Sequence, residues 1–151
     1  MIKLLGVLFL ALTMAANVFN AKVVKVTDGD TIVVLTDKNE QVKVRLEGVD
    51  CPELKQAFGM KAKQTTSDLC FNKRVRVVKS GKDRYGRTLA FVYVGKVSVN
   101  KELIKRGMAW HYKKYNKDPE LAKLEVSARK AKVGLWSQKN AVAPWAWRKT
   151  K

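Results

Sequence analysis

Four short groups in the 151-residue sequence carry side chains able to do phosphate chemistry. Asp28-Gly-Asp30-Thr31 sits where one β-branched run turns into the next. Arg45 lies in the run that follows, Asp50-Cys-Pro-Glu53 comes directly after it, and Asp83-Arg-Tyr-Gly-Arg87 precedes the last such run. A metal-dependent phosphodiesterase needs hard oxygen ligands for a divalent cation, which Asp30, Asp50 and the neighbourhood of Glu53 offer. It needs a group to orient or deprotonate water, and Glu53 suits that task. It also needs fixed positive charge on the phosphoryl oxygens. Arg45 and Arg87 supply it as planar forks that cannot lose their proton. The reaction implied is in-line attack of water on phosphorus.

Each group alone has a plainer explanation. Asp-Gly is a common hairpin turn, a strand arginine facing an acid is usually a solvated pair, and Tyr-Gly-Arg is at home in any basic turn. Their order and context carry the functional reading.

The elements that must position them follow from periodicity. Residues 21–27, 31–36 and 41–47 read as strands of an antiparallel meander, with turns at Asp28-Gly29 and at residues 37–40. Residues 74–79 and 88–94 give two more. One helix is expected over about 58–71. A second runs from about Ser98 to Gly107, and a third starts at the Asp118-Pro119 cap and stops at Gly134. The tail through Ala143-Pro-Trp-Ala-Trp-Arg148 shows no regular period. Five strands with one helix inserted and two appended predict an α+β fold: a five-stranded OB-fold β-barrel with three helices.

Composition narrows the partner. Lys and Arg number 31 against 13 Asp and Glu, a net charge of +18, while 46% of residues are hydrophobic. The apolar content excludes a disordered basic tail, and the charge favours a polyanionic partner. No mature helix sets a wide apolar face against a lysine face, which argues against a membrane-surface protein. Residues 1–21 have the plan of a signal peptide: Lys3, then an apolar run too short to cross a bilayer comfortably. Thr13-Met-Ala15 and Ala21 are both candidate cleavage points, and an uncleaved N-terminal anchor is the alternative. The domain is then residues 22–151, and its expected location is periplasmic or secreted. Cys51 and Cys70 leave two readings open, a disulfide or two buried thiols. With His111 they are too few for a zinc site.

Taken together, Val26-Thr-Asp-Gly-Asp-Thr31, Val44-Arg-Leu-Glu-Gly-Val-Asp-Cys-Pro-Glu53, Asp83-Arg-Tyr-Gly-Arg-Thr-Leu-Ala90, Val99-Asn-Lys-Glu-Leu103 with Gly107, and Gly134-Leu-Trp-Ser137 are similar to one family. From about residue 22 to 137 the sequence resembles the staphylococcal nuclease (thermonuclease, micrococcal nuclease) family of secreted calcium-dependent nucleases. The resemblance implies Ca²⁺ held by Asp30, Asp50 and the backbone carbonyl of Cys51, with Asp28 close by. It implies Glu53 on the attacking water, Arg45 and Arg87 on the scissile phosphate, and Arg84 and Tyr85 on a terminal phosphate. Tyr115 matches one of two pocket tyrosines.

Departures accompany the match. The segment after Glu53 is shorter than the mobile basic loop of the staphylococcal enzyme. Lys113 stands where the second pocket tyrosine belongs, with Tyr112 as a substitute. The two cysteines have no counterpart, and the Pro144-Trp-Ala-Trp147 tail resembles that of other bacterial members. Its tryptophans are read as closing the barrel, with base stacking as the alternative. The function expected is a monomeric endonuclease acting on DNA and RNA with little sequence preference. A nucleic-acid-binding OB-fold module without catalysis is the alternative.

Overall fold

The computed structural model describes residues 17–150. The apolar leader run therefore lies outside the described residues. Strands β1 (Val18–Asp28), β2 (Thr31–Thr36), β3 (Gln41–Leu46), β5 (Arg74–Lys82) and β6 (Thr88–Val94) form the barrel. Its sheet order is β3-β2-β1-β5-β6, with the two-residue β7 (Val97–Ser98) added on β6, and parallel pairing of β3 with β6 (Val44↔Thr88, Leu46↔Ala90) closes it. Closure buries Val23, Ile32, Val34, Val44, Val77 and Val92, the inward members of the alternating runs.

The expected helices are present as α1 (Gly59–Cys70), α2 (Val99–Lys105) and α3 (Pro119–Ala131). Asp118 caps α3 through its side chain, with Pro119 in the first turn. Asn100 on α2 is fully buried: its Oδ1 accepts from Val92 N, and its Nδ2 donates to the carbonyls of Glu47 and Ala90. One amide thus ties helix, strand β6 and the chain leaving β3. Gly107 and Gly134 both have positive φ and face each other's backbone so closely that a Cβ on either would strike a carbonyl. The Leu135 amide donates to Gly107 O at 2.8 Å across this contact.

Three observations differ from the sequence reading. Strand β1 begins at Val18, because residues 18–21 pair with β5 (Val18↔Val78 through Ala21↔Val75) and Ala21 is wholly buried. A two-residue ribbon joins β4 (Val49–Asp50) to β8 (Trp110–His111). Besides the three expected helices there is a fourth, α4 (Pro144–Arg148), which Pro144 starts and which is too short to show a period. No described helix is long and apolar enough to cross a membrane.

The disulfide alternative does not hold: Cys51 and Cys70 are both free, buried thiols. Cys51 packs by Gly29 and Ala62 near the start of α1, while Cys70 ends that helix. Eight residues of helix span about 12 Å, beyond the reach of a bridge. Cys70 Sγ instead donates to Thr66 O at 3.2 Å.

Candidate active site

All the residues singled out from the sequence for chemistry or binding line one open cleft of about 660 Å³: Asp30, Arg45, Asp50, Cys51, Glu53, Arg84, Tyr85, Arg87 and Tyr115. Five parts of the chain meet there: the β1–β2 turn, the end of β3 with β4 and the segment after it, the β5–β6 hairpin, the segment after β8, and the C-terminal helix. Asp28 and Tyr112 line it as well.

The tight β1–β2 turn aims Asp30 inward. Its amide bonds Asp28 Oδ1 at 3.1 Å, and its Oδ2 accepts from Cys51 N at 2.8 Å. That last bond fixes Asp30 against the strand carrying Asp50. Arg45 joins them from beneath: Nη1 donates to Leu46 O and Val49 O at 2.7 and 2.8 Å, while Nη2 lies 3.5 Å from Asp30 and 3.4 Å from Asp50. Burial alone would lower the pKa of this guanidinium, but Asp30 and Asp50 outweigh that and raise it.

The carboxylates crowd one another. Burial, then the charge of Asp30, pushes Asp28 up to about 7. Burial also raises Asp50, against the Arg148 hydrogen bond that lowers it. Burial raises the Cys51 thiol well above its ordinary value, so its side chain stays a neutral thiol. Beside it are two hard carboxylates without a thiolate or imidazole partner, and the described residues contain no ready cluster of three or more acidic, Cys or His ligands. This donor set fits a hard cation that keeps water and backbone oxygens in its shell, and does not fit zinc.

Asp83 builds the arginine-bearing hairpin. Its Oδ1 accepts the amides of Tyr85 and Arg87, both at 2.9 Å, and its Oδ2 accepts Arg87 Nε at 2.6 Å. Gly86 supplies the positive φ that this turn needs. Arg87 is thereby held across from Thr31, with Nη1 3.5 Å from its Oγ1. Arg84 and Arg87 both lie over the Tyr85 ring, at 5.1 and 5.5 Å.

On the opposite wall, the rings of Tyr112 and Tyr115 meet edge to face at 4.9 Å. Lys113 points elsewhere: its Nζ bonds Glu125 at 2.9 Å, and buried Glu125 also accepts the His111 amide and Arg129. Tyr112, rather than Lys113, joins Tyr115 as the second tyrosine on this side of the cleft.

Two residues of the site escaped the sequence reading. Gln56, nearly buried, accepts the Glu53 amide at 3.1 Å and donates to Val142 O at 2.6 Å. The short segment after Glu53 is therefore a compact, tied turn; Gly59 sits so close to Glu53 O that no Cβ fits. Arg148 enters from α4. Its Nη1 donates to Asp50 Oδ1 and Glu53 Oε1 at 3.1 and 2.9 Å, and its Nη2 to Asp50 Oδ2 at 2.8 Å. The only signal in the sequence was an arginine placed just after a proline-started aromatic run. Of the tryptophans beside it, Trp145 packs at the cleft: it stacks on Tyr112 at 5.5 Å and meets Trp110 edge to face at 5.3 Å.

Barrel and cleft together define an OB-fold protein whose site sets crowded carboxylates against fixed guanidinium groups, a pairing suited to phosphate esters. The family model for staphylococcal nuclease homologues matches residues 43–138. An "Uncharacterized endonuclease" of Haemophilus influenzae is 48% identical over 85% of this chain and 72% of its own length. A "Micrococcal nuclease" of Shigella flexneri is 42% identical over 87% and 81%. The "Staphylococcal-like nuclease CAN1" of Arabidopsis thaliana is 38% identical over 78% of this chain and 38% of its own. The chain belongs to the staphylococcal nuclease family.

Proposed function

We propose that the protein is an exported, calcium-dependent endonuclease that hydrolyses phosphodiester bonds of DNA and RNA with little sequence preference, acting as a monomer. The observation that carries the reading is the convergence of Asp30, Asp50, Glu53, Arg45 and Arg87 on one cleft walled by Tyr85, Tyr112 and Tyr115. A non-catalytic binding module would have no use for that combination.

Asp30, Asp50 and the Cys51 carbonyl would hold Ca²⁺, which when bound supplies charge neutralisation at the phosphate and lowers the pKa of water. Glu53, held at its amide by Gln56, orients a water and accepts its proton. Arg87 presents its fork to the phosphate; its Nη2 has no protein partner among the described residues, whereas Nε is fixed by Asp83. Arg45 reaches the same oxygens through the Nη2 that it shares, at long distance, between two carboxylates. Arg84 and Tyr85 hold a neighbouring phosphate, and Tyr115 with Tyr112 offers aromatic faces to a base. The basic surface adds sequence-independent, salt-sensitive affinity.

Export is read from the leader. Strand pairing from Val18 onward favours cleavage after Ala15 over cleavage after Ala21, which would remove four residues of β1. The deciding experiment incubates residues 17–151 with plasmid and single-stranded DNA and with RNA. Calcium, magnesium and chelator are compared beside Glu53→Gln. Calcium-dependent degradation lost in the variant is the expected result. Retention of nucleic acid without cleavage under every condition would overturn it in favour of the binding module.

A further inference from the structure

Arg148 is the one tail residue inserted among the site's carboxylates. Its guanidinium takes both oxygens of Asp50 and one of Glu53, with three bonds of 2.8–3.1 Å. Asp50 is 1% exposed while the Arg148 side chain is 39% exposed, so a buried anion is met by a group reaching in from the surface. Charge explains the fit. Asp28, Asp30, Asp50 and Glu53 crowd four carboxyl groups into this end of the cleft, and Arg45 is shared at long distance between Asp30 and Asp50. Arg87 is matched by its own Asp83. Arg148 adds a second cation to Asp50 and supplies the guanidinium bonded to Glu53.

The element carrying Arg148 is a short terminal one that takes no part in the barrel sheet. Helix α4 is five residues long. Apart from Arg148 itself, the segment is tied by the Gln56 bond to Val142 O, by Ala141 on the Trp136 cluster, by buried Pro144, by Trp145 against Tyr112 and Trp110, and by Trp147, whose Nε1 is buried. A five-residue helix outside the sheet ladder opens at lower cost than the barrel strands.

We propose that Arg148 competes with the divalent cation for Asp50: its guanidinium and the cation exclude one another there, and cation binding displaces it and releases the C-terminal segment from the cleft. This rests on the calcium-dependent reading above. The two positive groups compete because a bidentate guanidinium occupies both Asp50 oxygens, and a second positive charge beside it is repelled in a partly buried site. By linkage, whatever loosens Arg148 tightens cation binding, and the cation in turn loosens the tail. Arg148 is thus a positioning residue that sets how much cation the site requires, and it holds Glu53 by its Oε1 until that cation arrives.

The test titrates Ca²⁺ into the purified protein without nucleic acid, by calorimetry, for the wild type, Arg148→Gln and Arg148→Lys. Hydrogen exchange over residues 141–148 is followed alongside. Arg148→Gln should bind Ca²⁺ roughly 5- to 100-fold more tightly, the span of an ordinary coupling between sites. Arg148→Lys, which keeps the charge but loses the fork, should fall between. In the wild type, Ca²⁺ should speed exchange in the tail. Equal or weaker Ca²⁺ binding by Arg148→Gln, or a tail that becomes better protected with Ca²⁺, overturns the competition and leaves the nuclease reading standing. Absence of Ca²⁺ binding in all three proteins overturns both. Thermal melting shows that each variant is folded.

Discussion

Gln56 holds Glu53 from the side, accepting its amide at 3.1 Å, and with its other side-chain atom donates to Val142 O 86 residues later. One nearly buried amide thereby connects the proposed water-activating residue to the C-terminal segment. Gln56→Ala removes both bonds and leaves the Glu53 amide and the Val142 carbonyl without protein partners. The expected cost is about 1–3 kcal/mol of stability, with a fall in kcat of roughly tenfold from a mispositioned Glu53. Gln56→Glu, which retains the acceptor and loses the donor, should keep more of the activity than of the tail's protection from hydrogen exchange. Urea unfolding and single-turnover cleavage measure the two effects separately.

Arg87→Lys tests the fork against the charge. Lysine retains the positive charge but not the two parallel donors or the Nε bond to Asp83. The expected loss is about 10²–10³-fold in kcat with a much smaller change in KM, since the bonds strengthen as phosphoryl charge develops. An equal rise in KM at constant kcat would mean that Arg87 only binds substrate.

Asp83 should titrate below the usual carboxylate range. Burial acts upward, but hydrogen bonds from the Arg87 amide and guanidinium outweigh it. A depressed folded-state pKa contributes stability that is present above the unfolded value of 3.8 and lost as pH falls through the folded value. Asp83→Asn should lower stability at pH 7 and flatten its fall below pH 4. It should also weaken substrate binding as the Tyr85–Arg87 hairpin loosens. Melting curves between pH 2 and 7 check the first two effects, and fluorescence titration with an oligonucleotide checks the third.

Reducing agent should leave the melting temperature unchanged, because neither thiol is bridged. In the native protein both should resist alkylation at pH 8, and denaturation should expose two. Burial pushes Cys70 up to about 12. Its neutral form therefore favours the fold below the ordinary thiol value of 9.0, and that contribution is lost as pH rises from there toward 12. Mass spectrometry after iodoacetamide treatment counts the reactive thiols.

A chain beginning at Lys22 should be less stable than one beginning at Asn17. It lacks buried Ala21 and half-buried Phe19, together with the β1–β5 pairs from Val18 to Ala21. The loss should be at least about 2 kcal/mol, seen as a lower urea midpoint. Equal midpoints would mean that these strand residues add no net stability.

The amino-acid sequence by itself determined the barrel strands, the three longer helices and most of the cleft. The reason is local. Val42, Val44 and Leu46 alternate with Lys43 and Arg45, Asp118-Pro119 caps a helix, and Asp83 with Gly86 closes a turn on its own neighbours. Asp30, Asp50, Glu53, Arg45 and Arg87 were legible because each sits in such a locally fixed turn or strand end. Tertiary structure decided what depended on segments far apart. The fate of the cysteines turned on which end of α1 each occupies. The exchange of Tyr112 for Lys113 followed from buried Glu125 drawing the lysine away. Gln56 and Arg148 reach partners across 86 to 98 residues of chain. No periodicity or turn chemistry encodes such contacts, because they exist only once barrel closure and the β4–β8 ribbon bring residues 50–56 and the C-terminal segment to one cleft.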